Sequence, residues 1–312
     1  MTQPSGIKVT DVAFVRFTAP DLDLMEEYFT DFGMQRSERT DSALYMRGTD
    51  DEGFIHVTEL GDQPGFVGFA FNAESIDDLE QLAQHDDFGE VRDLAGPGGG
   101  RVVSATDPNG FEIEVVAGQG SVGRLDKTRR AIRNDGAEQP RRGATVRLDP
   151  GPSHVRRLGH VVINVSDFRA SEAWYKKHFG LVTSDEIALD ENRSLGAFLR
   201  CDRGSMHVDH HTLFCVGSGK PDFNHAAFEV ADFDDLMTGH THLQNASRQH
   251  QWGIGRHILG SQIYDYWRDP FGHMVEHWTD GDLFNDEVAP QTVGIGELLG
   301  SQWGPTMGNP PG

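Results

Sequence analysis

The segment His160 to Phe168, HVVINVSDF, is echoed in step by His225 to Phe233, HAAFEVADF, and this self-similarity constrains the fold more than any other feature of the chain. The same frame returns in weaker form as Phe14 to Leu22, FVRFTAPDL, and as Gly68 to Ile76, GFAFNAESI. Each copy opens on about six residues of alternating or continuous apolar character, which read as a strand. Each then reaches Asp or Ser, the residue types that start helices. After Asp21 and Asp167 the stretches LDLMEEYFTDFG and FRASEAWYKKHFG carry aromatic residues at helical spacing and stop at Gly33 and Gly180. Those aromatic residues read as core packing. Short strand-like runs follow, ALYMRG and FIHVTEL in the first copy, GAFLRC and MHVDHHTLF in the third. The repeating unit is therefore βαβββ.

The second and fourth copies end in matching phrases, DPNGFEIEV from Asp107 and DPFGHMVEH from Asp269, a turn feeding a final strand with Glu seven residues past the Asp. The copies thus pair into two units, expected over residues 7–118 and 154–280 and joined by a Gly/Arg-rich linker, 119–153. A chain of 312 residues exceeds what one core fills comfortably, in keeping with two units. Residues 281–312, ending in GPTMGNPPG, read as an extension or tail.

Of the 15 histidines only His56 and His85 precede residue 150, so the chemistry is expected in the second half. If the four copies share one fold, the first residues of equivalent strands coincide about a pseudo-twofold axis, and His160 meets His225. Glu276, near the end of a strand in the last copy, adds a carboxylate. Two imidazoles and one carboxylate on one face of a sheet form a 2-His-1-carboxylate set that leaves positions open, well suited to Fe(II) and open also to Mn(II) or zinc. The first unit is an internal control: its corresponding residues are Phe14, Gly68 and Glu114, so only the carboxylate survives. Phe14 reads as core, and Glu114 as a relic or a solvated strand-end acid.

A net charge of −22 disfavours nucleic acid and anionic membrane surfaces as partners and points to a small substrate. The basic stretch Arg124 to Arg142 reads as solvated linker. No run is long and apolar enough for a membrane span, no secretory signal is visible, and the two cysteines, Cys201 and Cys215, form no framework. A cytoplasmic protein is expected.

The phrase from Gly255 to Trp278, GRHILGSQIYDYWRDPFGHMVEHW, resembles the signature of the type I extradiol dioxygenases of the vicinal oxygen chelate superfamily, α+β proteins built of four βαβββ modules. The resemblance covers most of the chain. It implies His160, His225 and Glu276 as ligands of Fe(II), with Mn(II) as the other possible metal, and His257 and Tyr266 as catalytic groups beside them. It also makes the second histidine of HHTLF, His211, the acid–base residue. Register points the same way, since His207, Asp209 and His211 would share one face of a strand. The implied reaction inserts both atoms of O2 into a substituted catechol beside the diol, in aromatic compound catabolism. Apart from the resemblance, a homo-oligomer is expected. The alternative within the superfamily is a glyoxalase-like isomerase or a transferase, with a fourth protein ligand drawn from MHVDHHTLF. Trp252 is a candidate pocket wall.

Overall fold

In a computed structural model, residues 6–125 and 132–306 are described; the basic run Lys127 to Arg130 of the linker and the final GNPPG of the tail lie outside the described residues. The first module comprises β1 (Asp11–Ala19), α1 (Leu22–Phe32), β2 (Gln35–Arg39), β3 (Ala43–Arg47) and β4 (His56–Leu60). The second comprises β5 (Gly65–Asn72), α2 (Ile76–Leu82), β6 (Arg92–Asp93), β7 (Arg101–Thr106) and β8 (Glu112–Ala117). The third has β9 (Val155–Val165), α3 (Phe168–Phe179), β10 (Val182–Asp190), β11 (Arg193–Arg200), the short β12 (Val208–Asp209) and β13 (Leu213–Gly217). The fourth has β14 (Asp222–Val230), α4 (Phe233–Asn245), β15 (Gln249–His257), β16 (Ile263–Arg268) and β17 (Met274–Thr279). The βαβββ reading of the repeat holds in all four modules, with β12 as an addition to the third.

The helix signals act as the sequence indicates. Asp21 accepts from the amides of Asp23 and Leu24 at 2.9 and 3.0 Å, and Asp167 accepts from Ala170 at 3.0 Å. Gly33 ends α1 at φ 106°, and a Cβ there would stand 2.1 Å from the Ser153 carbonyl oxygen, so both backbone and packing require glycine.

Modules pair by joining their first strands antiparallel, β1 with β5 and β9 with β14. One sheet has the order β2-β3-β4-β1-β5-β8-β7-β6. The other runs β19-β10-β11-β13-β9-β14-β17-β16-β15-β20, where β19 (Gln291–Gly294) and β20 (Ser301–Trp303) flank a short α5 (Ile295–Leu299), and a separate ribbon pairs β12 with β18 (Leu283–Phe284). Within the segment after residue 281, residues 291–294 and 301–303 lengthen the second sheet at its two edges, as an extension and not a loose tail over that stretch.

The sheets exchange helices across a shared core. From the third module, α3 packs on the first sheet through Phe179 against Phe71, centroids 5.0 Å apart, and Tyr175 donates to Asp107 at 3.0 Å. In return α1 reaches the second sheet, where Phe32 stacks on His277 at 3.7 Å and its carbonyl oxygen accepts from that ring at 2.7 Å. Burial pushes the His277 imidazole down to about 4, so it is neutral at physiological pH and serves as packing and hydrogen-bond donor. His277 follows Glu276 directly, so the first half of the chain braces the strand that carries the expected ligand.

Phe32 is fully buried, and its replacement by Ala should cost about 3–5 kcal/mol of stability, the range for deleting a core aromatic ring. Chemical denaturation followed by tryptophan fluorescence checks this; a cost under about 1 kcal/mol would mean that the two halves are not joined through this contact.

Candidate metal centre

Strand register places the site residues in one row. Across the second sheet His160 of β9 lies opposite Ala227 of β14, Ala227 opposite Glu276 of β17, Glu276 opposite Tyr266 of β16, and Tyr266 opposite Trp252 of β15. His225 sits two residues before Ala227 on the same face of β14. Both histidines lie inside their strands, since β9 begins at Val155 and β14 at Asp222; the expectation that they open the strands is corrected, while their equivalence about the pseudo-twofold stands. Glu276 likewise sits mid-strand, in the middle of β17.

The donors converge where the row is narrowest. Glu276 Oε2 stands 3.4 Å from His160 Nε2 and 3.4 Å from His225 Nε2, and the three ligand atoms fall within 4.8 Å of one another. Glu276 is fully buried, and neither of its oxygens nor Nδ1 of His160 has a hydrogen-bond partner among the described residues. Burial alone would raise the Glu276 carboxyl; the surrounding imidazoles of His160, His225 and His257 outweigh it and hold the group well below the usual carboxylate range. Burial lowers His160, so its imidazole stays neutral. A fixed anion faced by neutral imidazoles, with lone pairs left unmatched, is a donor set that a divalent cation completes. Asn224 accepts from Nδ1 of His225 at 2.8 Å and is itself held by Asn164 at 3.2 Å, which leaves Nε2 of His225 as the free lone pair.

Two groups flank the donors. On the Glu276 side, Nε2 of His257 lies 3.8 Å from Oε1 of Glu276 and 3.0 Å from the Tyr266 hydroxyl, whose ring meets His225 edge-on at 5.2 Å. Burial and the Glu276 charge push the Tyr266 phenol well above its ordinary range, so it keeps its proton. Trp252 stacks on Tyr266 and Tyr264 at 5.1 and 4.2 Å and extends the same wall. Its indole N–H and the Tyr264 hydroxyl both donate to the carbonyl oxygen of Pro305, and Gln302 donates to the carbonyl oxygen of His257, so the C-terminal segment helps fix this side.

On the other side His211 packs against His160 with centroids 4.1 Å apart. Its supposed place on a strand face is corrected: the MHVDHHTLF run is broken, with His210 and His211 between β12 and β13, His207 exposed, and Asp209 turned to Arg157 at 2.7 Å. A bend, not strand alternation, delivers the imidazole. Burial, with His160 and His210 alongside, holds His211 well below its ordinary pKa, so it is neutral at physiological pH, with a lone pair able to accept a proton.

The first sheet repeats the row without the donors: Phe14 lies opposite Ala70, Ala70 opposite Glu114, and Glu114 opposite Ser104. Phe14 fills the cavity against Phe54 at 4.7 Å, as core. A Cβ on Gly68 would stand 1.7 Å from the Glu112 carbonyl oxygen, so no side chain fits where His225 has its counterpart. Glu114, read as a relic or a solvated acid, is not solvated; it is buried and paired with Arg92 at 2.7 Å and Arg16 at 3.4 Å in an ion-pair network.

Ala227 escaped the sequence reading. It lies between His160 and Glu276, fully buried, and its methyl leaves room for the ion; the only signal was a small residue two positions after His225. Ala227→Leu should therefore fold, at an overpacking cost of about 1–3 kcal/mol, yet retain no metal. Elemental analysis of the folded variant decides it, and undiminished metal content would show that the ion sits elsewhere.

Residues 157–277 match the family model described as the glyoxalase/bleomycin resistance protein/dioxygenase superfamily. The chain is 27% identical over 303 residues to metapyrocatechase 2 of Cupriavidus necator, covering 92% of this chain and 87% of that protein. Its structure resembles the Mn(II)-bound glyoxalase from Novosphingobium aromaticivorans, at TM-score 0.78 and 21% identity over 96% of this chain and 92% of that one. It resembles equally an extradiol ring-cleaving dioxygenase from B. fuscum, at TM-score 0.77 and 19% identity over 95% and 78% of the two chains. With its four βαβββ modules and a two-histidine, one-glutamate centre in the second pair, the chain is similar to the glyoxalase/bleomycin resistance protein/dioxygenase superfamily, whose model its second half matches.

Proposed function

We propose that the protein is an Fe(II)-dependent extradiol dioxygenase that cleaves a substituted catechol beside its diol with both atoms of O2. The observation that carries this is the three-donor group of His160, His225 and Glu276 with an acid–base imidazole outside it: the set that closes within 4.8 Å does not include His211. A glyoxalase-like isomerase or a transferase of the same fold would call for a fourth protein donor. Sequence likeness to metapyrocatechase 2 supports the same choice.

His160, His225 and Glu276 would hold the ion, Fe(II) or Mn(II) by donor type. When bound, the ion supplies positive charge that acidifies a diol and a shared place where diol and O2 meet. The chain's own groups do the rest. His211, neutral and beside His160, receives the proton that a catechol hydroxyl gives up on binding, and later returns it to the departing oxygen. On the opposite side Tyr266, still a phenol, and His257 hydrogen-bond to each other, and with Nε2–H of His257 donating in that pair the Tyr266 O–H is free to donate where charge develops on substrate oxygens. Burial of the donors keeps water away from the reacting groups.

A cytoplasmic enzyme acting on a small molecule agrees with two buried free cysteines, with the acidic charge and with helices none of which is long and apolar enough to cross a membrane among the described residues. Assembly as a homo-oligomer belongs to the same proposal, and light scattering tests it.

The test is aerobic incubation of the Fe(II)-loaded protein with a panel of catechols, watched for the yellow ring-fission product. His211→Asn should keep iron and catechol binding while slowing cleavage by about 10²–10⁴-fold, the usual share of general acid–base catalysis. Loss of metal in that variant would make His211 a fourth ligand and favour the isomerase; no product from any catechol with the wild-type protein would remove the dioxygenase reading.

A further inference from the structure

Behind His211 lies a chain of groups that the reaction above does not use. Nδ1 of His211 is 3.1 Å from Nδ1 of His210, and Nε2 of His210 is 2.7 Å from Oδ2 of Asp185, all three residues being buried. His210 is held on every side. Its backbone N–H donates to the Asp282 carbonyl oxygen at 3.0 Å, its own carbonyl oxygen accepts from Ser184 at 2.6 Å, and its ring packs on Phe198 and Phe284 at 5.4 and 5.0 Å. A Cβ on Gly260 would stand 3.1 Å from its Nδ1, so the glycine leaves the ring just enough room.

We infer that Asp185 and His210 are positioning residues that fix the tautomer of His211, so that it presents a bare Nε2 to the substrate. The argument is one of proton counting. Two ring nitrogens 3.1 Å apart share a single proton, since two would clash and none would leave facing lone pairs. The Asp185 carboxylate, whose Oδ2 lies 2.7 Å from Nε2 of His210, accepts the hydrogen of that nitrogen. Nε2 of His210 therefore carries the hydrogen, and its Nδ1 lone pair faces His211. The shared proton then belongs to Nδ1 of His211, and its Nε2, which makes no hydrogen bond among the described residues, is the base. When His211 takes a proton from substrate at Nε2, its Nδ1–H already points at an acceptor, and no group in the chain has to turn. Carboxylate control of an imidazole tautomer is the same logic that operates in serine-protease triads.

The inference deepens the proposed function, because it assigns a use to the bare nitrogen only if His211 is the base. Its test separates the two. In metal-free protein carrying 15N-labelled histidine, long-range proton–nitrogen NMR spectra should show His211 protonated at Nδ1 and His210 at Nε2. Asp185→Asn, whose amide can donate to His210, should invert both tautomers and place hydrogen on Nε2 of His211. In the loaded enzyme the same variant should lower kcat by about 10²–10⁴-fold with KM and metal content retained. Wild-type spectra with Nε2 of His211 protonated would overturn the inference without need of any variant. So would Asp185→Asn with unchanged tautomers and unchanged kcat. The expected tautomers in a protein that cleaves no catechol would leave the hydrogen-bond chain standing and reject the dioxygenase reading instead.

Discussion

Everything at the centre depends on one buried charge. Glu276 has no exposed surface and, among the described residues, no hydrogen-bond partner, and an ionised carboxylate in that position costs several kcal/mol unless matched. The match comes from residues that reach it only because β9, β14 and β17 run side by side in fixed register, with Ala227 small enough to leave a space among them. A one-residue slip in any of these strands would turn its donor to the opposite face, so pairing register and site are a single constraint.

The duplication shows what that constraint tolerates once the ion is not required. The first sheet keeps the register, the small residue Ala70 and the carboxylate Glu114, but Phe14 occupies the space and Arg16 and Arg92 neutralise the charge. The same backbone thus solves the same electrostatic problem with guanidinium groups instead of imidazoles. What the first half supplies to the second is mechanical: Phe32 against His277, beside Glu276, and a core that neither sheet closes alone.

Much of this was legible in the sequence because the signals were periodic and local. Alternating strands, Asp and Gly at helix ends and the paired D-P-x-G turns set the four modules, and equivalent positions within them brought His160, His225 and Glu276 together. The misreadings have a common cause in long-range geometry. MHVDHHTLF alternates like a strand yet bends at His210, because His210 is drawn to Asp185 and to the Asp282 carbonyl oxygen from distant parts of the chain. Glu114 looked solvated because its arginine partners come from β1 and from β6, far off in sequence. The segment after residue 281 read only as an extension or tail, because strand addition at a sheet edge is carried by backbone hydrogen bonds and needs little side-chain pattern.

The central claim is that one divalent ion sits among His160, His225 and Glu276 and nowhere in the first sheet. Protein prepared without oxygen, incubated with Fe(II) and freed of excess, should carry about one metal ion per chain, and Glu276→Gln, which removes the only anionic donor, should carry close to none while remaining folded. Metal content in Glu276→Gln equal to that of the wild type would contradict the account.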